Sequence, residues 1–241
     1  VEKSSAMPVY LIAVVMALLF STGVQNRCAM AIGAGDRKKA VSYFSTTFVS
    51  MIVISLVIIA LVVIFQNPLP HILGASASLF GGVKDYLLGL IPGYPAIIFM
   101  MVTGNMHYLN GQKRPVIIAA VIQTLIDIVI DALNVFVFHG GLFGMAMATS
   151  ISYGVAALFV VVAYFAKKPS VGFSLKSVSA GSLKDVVKAG LPLAVEQLYN
   201  VLQIYLLNII ILRFVGEFCE GVYSIMNTLN NLLVPFNSGI G

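Results

Sequence analysis

Residues 40–66 read AVSYFSTTFVSMIVISLVIIALVVIFQ, an uncharged run bounded by Arg37-Lys38-Lys39 before it and Asn67-Pro68-Leu69-Pro70 after it. An α-helix of about 20 apolar residues crosses the hydrocarbon core of a bilayer, so this run is long enough to span one. Strands of a membrane barrel are nearer ten residues and alternate apolar with polar, and no such alternation is present here. Outward from this stretch, comparable runs occur at 7–32, 83–109, 115–138, 141–166, 185–213 and 217–241. The chain is expected to be an all-α integral membrane protein with about seven transmembrane helices.

Composition points the same way. Hydrophobic residues make up 59% of the chain and charged ones 10%, against roughly 25% charged in soluble domains. One water-soluble core of this size could not hide that much apolar surface, whereas lipid can solvate it once helices satisfy the backbone. Tryptophan is absent, which leaves Tyr10, Tyr94 and Tyr164 as expected members of an aromatic belt. Cys28 and Cys219 lie far apart, and neither a disulfide nor a metal site is expected of them.

The connections are well punctuated. Gly33-Ala34-Gly35-Asp36 precedes the basic triplet, Asn110-Gly111-Gln112-Lys113-Arg114-Pro115 forms a turn with a helix-starting proline, and His139-Gly140-Gly141 allows only a tight hairpin. Residues 167–184, rich in Ser, Gly and Lys, form the one long linker. The net charge of +5 falls in short clusters between apolar runs, which suits the positive-inside rule better than a nucleic-acid face. Arg37, Lys38, Lys39, Lys113, Arg114, Lys167, Lys168, Lys176 and Lys184 share one side, which is expected to be cytoplasmic. The opposite loops hold little beyond Lys84 and Arg213, with Glu217 and Glu220. Residue 1 then falls outside; with no signal peptide, this alternation implies a preceding helix. Both ends read as cut.

Five motifs in order carry a family resemblance: Gly33-Ala34-Gly35-Asp36 with Ala40, Asp127-Ile-Val-Ile-Asp131, Gly144-Met-Ala146-Met-Ala148-Thr149, Gly190-Leu-Pro192, and the stretch from Val222 to Gly241. Together they resemble the MATE (multidrug and toxic compound extrusion) family. The resemblance implies helices two to eight of a twelve-helix, two-lobe fold. Residues 1–166 would belong to the N-terminal lobe, 167–184 to the inter-lobe linker and 185–241 to the start of the C-terminal lobe. Phe20-Ser-Thr-Gly23-Val24 is similar to Phe236-Asn-Ser-Gly239-Ile240, as two parallel halves would produce. Two positions depart from the family: Tyr108 stands where an Arg is common, and Asp127 replaces the more usual Asn.

Ionisable groups inside a bilayer cost roughly 2.5–3.5 kcal/mol on insertion scales, so each one needs a reason. Asp127 and Asp131, at i and i+4, share one helical face, and Glu196 lies mid-span. These three are the candidates for cation or proton coupling; the competing reading is that they satisfy polar neighbours inside the bundle. Glu196, Tyr199, Asn200 and Gln203 form a polar stripe, and Asn227, Asn230 and Asn231 form another. Lipid cannot satisfy such side chains, so both stripes are expected to face the bundle or a wet substrate cavity. Gly140, Gly144, Ala148 and Ser152 read as a small-residue packing seam, as do Gly89 and Gly93. Pro192 is a candidate helix-bending point, although a first-turn proline would look the same. Arg27 and His139 read as interfacial groups that snorkel or cap.

No phosphate loop, His-Glu-x-x-His or Gly-x-Ser-x-Gly is present, so an enzyme is not expected. What the resemblance implies is multidrug efflux by antiport, with Na⁺ or H⁺ as coupling ion and no cofactor or metal. The partners would be drug-like small molecules and the lipid bilayer, not nucleic acid. The protein would be a monomer in a bacterial-type inner membrane. The rivals are a lipid-linked-oligosaccharide flippase of the same superfamily and a non-transporting scaffold.

Overall fold

The computed structural model describes residues 2–72, 80–166 and 169–214, and within them every regular element is helical. The helices are α1 (Glu2–Gly33), α2 (Arg37–Ile64), α3 (Pro68–Ile72), α4 (Phe80–Gly89), α5 (Gly93–Leu109), α6 (Lys113–Leu133), α7 (Gly141–Ala166) and α8 (Ala180–Phe214). A π-helical turn, Asn134–Phe138, follows α6, and a 3₁₀ turn, Leu175–Ser177, precedes α8. The expected span 217–241 lies outside the described residues, together with Asn227, Asn230 and Asn231.

Among the described residues, four stretches are long and apolar enough to cross a membrane: Tyr10–Gly33, Arg37–Ile64, Lys113–Phe138 and Gly141–Ala166. The expected single helix 83–109 is instead two, α4 and α5, bent by 49° and together able to make a fifth crossing. The bend has a local cause. Pro92 has no amide to donate, the Gly93 amide turns to Leu90 O at 2.8 Å, and the Ser150 hydroxyl donates to Gly89 O at 2.8 Å. α7 can come that close because Gly89 carries no Cβ; one would lie 2.8 Å from Phe143 O.

α1 is the central post, packed against α8, α5, α2 and α4, while α7 packs against α4, α5 and α6. The main core gathers Phe20, Val24, Phe44, Met51, Ile97, Met106 and Tyr164. Tyr94 and Tyr164 are buried in the interior rather than placed in a belt. The Tyr164 hydroxyl donates to Val171 O at 2.8 Å, a bond that a headgroup position would not require. Ile117, Val121, Leu125 and Ile128 on α6, with Leu56, Val57 and Ile64 on α2, remain exposed, as surfaces facing lipid do.

Of the expected small-residue seam, Gly140 and Gly144 lie against Asn134 and Ser152 faces Asp127 of α6, while Gly89 and Gly93 pack on Ala146 and Ser150, a neighbouring line of α7. The linker is shorter than expected, because α8 begins at Ala180 rather than near 185. Its first turns carry Lys184, Asp185 and Lys188, so hydropathy does not mark them. The remainder, 169–179, is strapped to α2: the Ser174 and Ser179 amides donate to Ser45 Oγ at 2.9 Å and Thr46 Oγ1 at 3.1 Å. Pro192 stands inside α8, so it is an interior proline, not a first-turn one.

Candidate functional site

The two aspartates of α6 do share a face, and that face turns toward polar groups from three other helices. Asp127 and Asp131 are each half-buried. Ser152 of α7 places its Oγ 3.1 Å from Asp127 Oδ1 and 2.8 Å from Thr149 O. A hydroxyl has a single proton, so Ser152 donates to one of these acceptors at a time and can accept from Asp127 when that carboxyl is protonated. Asp131 Oδ1 is shielded from solvent. Tyr86 of α4, itself buried, lies within electrostatic reach of both aspartates. Tyr10 of α1 lies within reach of Asp127, and its hydroxyl is 3.2 Å from that of Tyr153 on α7.

The outcome is an oxygen-rich cluster between α1, α4, α6 and α7: two carboxylates, three phenols and a serine hydroxyl. Oxygen donors of this kind suit a hard cation, and a partly buried carboxylate pair equally suits a transferable proton. Among the described residues, no group of three or more His, Cys, Asp or Glu is placed to hold a metal ion.

Sequence reasoning singled out the aspartates but not their neighbours. Tyr10 was expected in an aromatic belt and Ser152 in a packing seam, while Tyr86 and Tyr153 carry no local signal. A phenol within an apolar run, one or two helical turns from such a carboxylate in space, cannot be identified from one strand of text.

Glu196 is elsewhere. It lies on α8, which packs on α1 and α2, and the structure does not join it to the aspartate cluster. Glu196, Tyr199, Asn200 and Gln203 are all exposed, with Tyr199 at 66%. α8 instead buries Val186, Gly190 and Ala194 against its neighbours, and the polar stripe lies outside that line. Among the described residues the stripe is left uncovered. His107 is fully buried, 3.2 Å from Gln112 Oε1 and 3.0 Å from Val160 O, where it ties α5 to α7. Arg27 Nε donates to Asp185 O at 3.1 Å and so joins α1 to α8.

The multidrug export protein MepA of Staphylococcus haemolyticus (strain JCSC1435) is 24% identical over 191 residues, covering 78% of this chain and 42% of that protein. MepA of Staphylococcus aureus (strain NCTC 8325 / PS 47) is 24% identical over 225 residues, 92% of this chain and 49% of that one. A solved structure described as the inward-facing conformation of a multidrug resistance MATE family transporter of the MOP superfamily aligns with a TM-score of 0.88 at 24% identity. That alignment covers 97% of this chain and 54% of the other. The outward-facing conformation of such a transporter aligns at 0.82, over 96% and 52%. The chain thus spans about half the length of the relatives it matches. With the MatE family model matching residues 3–133, more than half of the chain, this multi-pass membrane protein belongs to the MatE family.

Proposed function

We propose that the protein carrying this chain is a secondary active multidrug exporter of a bacterial-type inner membrane. It moves organic, often cationic, compounds outward by alternating access, in exchange for Na⁺ or H⁺. The names of its MepA relatives support the cargo class. The observation that carries the coupling reading is the polar cluster around Asp127 and Asp131, because two carboxylates are kept at membrane depth with hydroxyls from neighbouring helices.

Coupling needs an ion whose affinity differs between the two arrangements of the protein. Cation or proton binding at Asp127 and Asp131 neutralises like charges at i and i+4, and it changes what Ser152 and the tyrosines accept or donate. A rearrangement of α6 against α7 or α1 alters those contacts and so the affinity. Glu196, Tyr199, Asn200 and Gln203 line the wall of the substrate cavity, completed by Asn227, Asn230 and Asn231. The basic loops are cytoplasmic, and residues 167–184 join the N-terminal lobe to the C-terminal lobe. Pro192 bends α8 between them.

The test is dye efflux from liposomes containing the full-length protein, under separately imposed Na⁺ and pH gradients. Asp131→Asn and Asp127→Asn keep the shape and remove the charge. Loss of gradient-driven efflux in a folded Asp131→Asn protein supports the reading, and the gradient that works names the ion. Wild-type-like efflux from both variants returns the aspartates to packing, and Glu196→Gln, run alongside, then decides whether coupling lies on α8. A protein that transports under neither gradient counts against efflux and in favour of the flippase alternative.

A further inference from the structure

α8 packs most tightly on the rest of the bundle through its first half. In its first half, Val186 is fully buried and Gly190 lies on α1 so closely that a Cβ there would be 2.8 Å from Leu19 C and would overlap Leu19 O. Gly23 is pressed in the same way against Val186, whose carbonyl carbon would be 3.0 Å from an added Cβ. Beyond Ala194 no described side chain of α8 is fully buried, and Val195, Leu198, Tyr199 and Leu202 are exposed. Farther along, Val201 still packs on the main core but is only half-buried, so the contact is tightest near the basic loop.

The touching end is also fastened by polar contacts. The Tyr43 hydroxyl of α2 donates to Asp185 Oδ2 at 3.0 Å, and Arg27 Nε of α1 donates to Asp185 O at 3.1 Å. Ser42 Oγ lies 2.7 Å from Ser182 Oγ and 2.7 Å from Ser177 O. Apolar helix faces slide past one another with little preference, whereas directional hydrogen bonds are either made or broken. A set of them across a glycine contact gives two discrete arrangements, which is what a switching element needs. The groups sit beside Arg37-Lys38-Lys39, at the membrane surface, so water can take over their hydrogen bonds when they part.

We infer that Arg27, Ser42 and Tyr43, with Ser177, Ser182 and Asp185, form a latch that holds the basic-loop end shut. The inference rests on the transporter reading above, in which that end is cytoplasmic. α8 must leave α1 and α2 here before the cavity opens inward.

The test uses the full-length protein with Cys28 and Cys219 replaced by Ala, and Ser42→Cys with Ser182→Cys added. The serine oxygens are near enough for the corresponding sulfurs to reach disulfide distance with small adjustment. Oxidation is expected to cross-link the pair and stop gradient-driven efflux, and reduction to restore it. A cross-linked protein that exports at the uncross-linked rate overturns the latch, as does a pair that does not cross-link at all.

A second measurement needs no transport. Val186→Cys in the same cysteine-free background is labelled with a membrane-impermeant maleimide in inside-out vesicles. Adding Tyr43→Phe and Asp185→Asn is expected to raise the labelling rate by about tenfold, as a shift in the open population of that size would. An unchanged rate overturns the latch. If the unmodified protein shows no efflux, the transporter reading fails while the labelling experiment still decides whether this contact opens.

Discussion

Gly144→Ala offers a sharp test of how α6 is held against α7, one turn from the aspartates. Asn134 ends α6 as a clasp: its Nδ2 donates to Gly141 O at 3.0 Å, and its Oδ1 accepts from the Gly140 amide at 3.1 Å. A Cβ on Gly144 would overlap Asn134 Oδ1, with Cγ at 2.5 Å and Nδ2 at 2.9 Å. The side chain must leave, which breaks both bonds and strands the Gly140 amide. At about 1 kcal/mol net for each hydrogen bond, Gly144→Ala should cost about 2 kcal/mol. Asn134→Ala removes the same two bonds and should cost about the same amount. In that background the added methyl meets empty space, and replacing a helical Gly returns roughly 0.5–1 kcal/mol. The double variant should therefore be no less stable than Asn134→Ala alone. Reversible unfolding in mixed micelles, followed by far-UV circular dichroism, gives all three values and hence the coupling energy. Additive losses, summing to about 4 kcal/mol in the double variant, would refute the clasp, because each residue would then be acting through different contacts.

Ser150→Ala should lower stability by about 1 kcal/mol, since Gly89 O at the α4–α5 bend loses its donor, and the same unfolding assay would show it. His107→Ala should cost about 3 kcal/mol, through a cavity against Tyr164, whose ring centroid is 5.4 Å away, and through loss of the bonds to Gln112 and Val160 O. A thermal midpoint equal to that of the parent would mean the ring is not the tie between α5 and α7. Asp127→Asn should be milder than Asp131→Asn in efflux, because an amide at position 127 can still accept from Ser152. Equal loss in the two, at equal protein yield, would contradict that ordering.

How much of this was legible in the sequence depends on what each residue needs from its neighbours. α2, α6 and α7 were readable because each is one uninterrupted apolar run, and lipid leaves such a run little choice but a helix. The bend between α4 and α5 was signalled by Pro92, yet its position and its repair by Ser150 depend on the approach of α7. The first turn of α8 was hidden, because residues 180–184 read as linker, and nothing local shows that Tyr43 and Arg27 come to meet Asp185. Asp127 and Asp131 stood out on their own, since a carboxylate at membrane depth is costly whatever surrounds it. Tyr10, Tyr86, Tyr153 and Ser152 did not, because a phenol or hydroxyl is tolerated at a headgroup, in a seam or in a site alike.

The sequence by itself therefore determined the membrane class, the uninterrupted spans of α2, α6 and α7 and the family motifs, and it singled out the two aspartates. These rest on transfer energies and spacings that belong to the chain alone. Only the tertiary structure decided which hydroxyls gather around the aspartates, that Tyr94 and Tyr164 are interior, that Glu196 stands apart on α8, and that hydrogen bonds from α1 and α2 meet the first turns of α8. Each of those depends on groups distant in sequence meeting within hydrogen-bond or van der Waals range, and such meetings are fixed by helix packing.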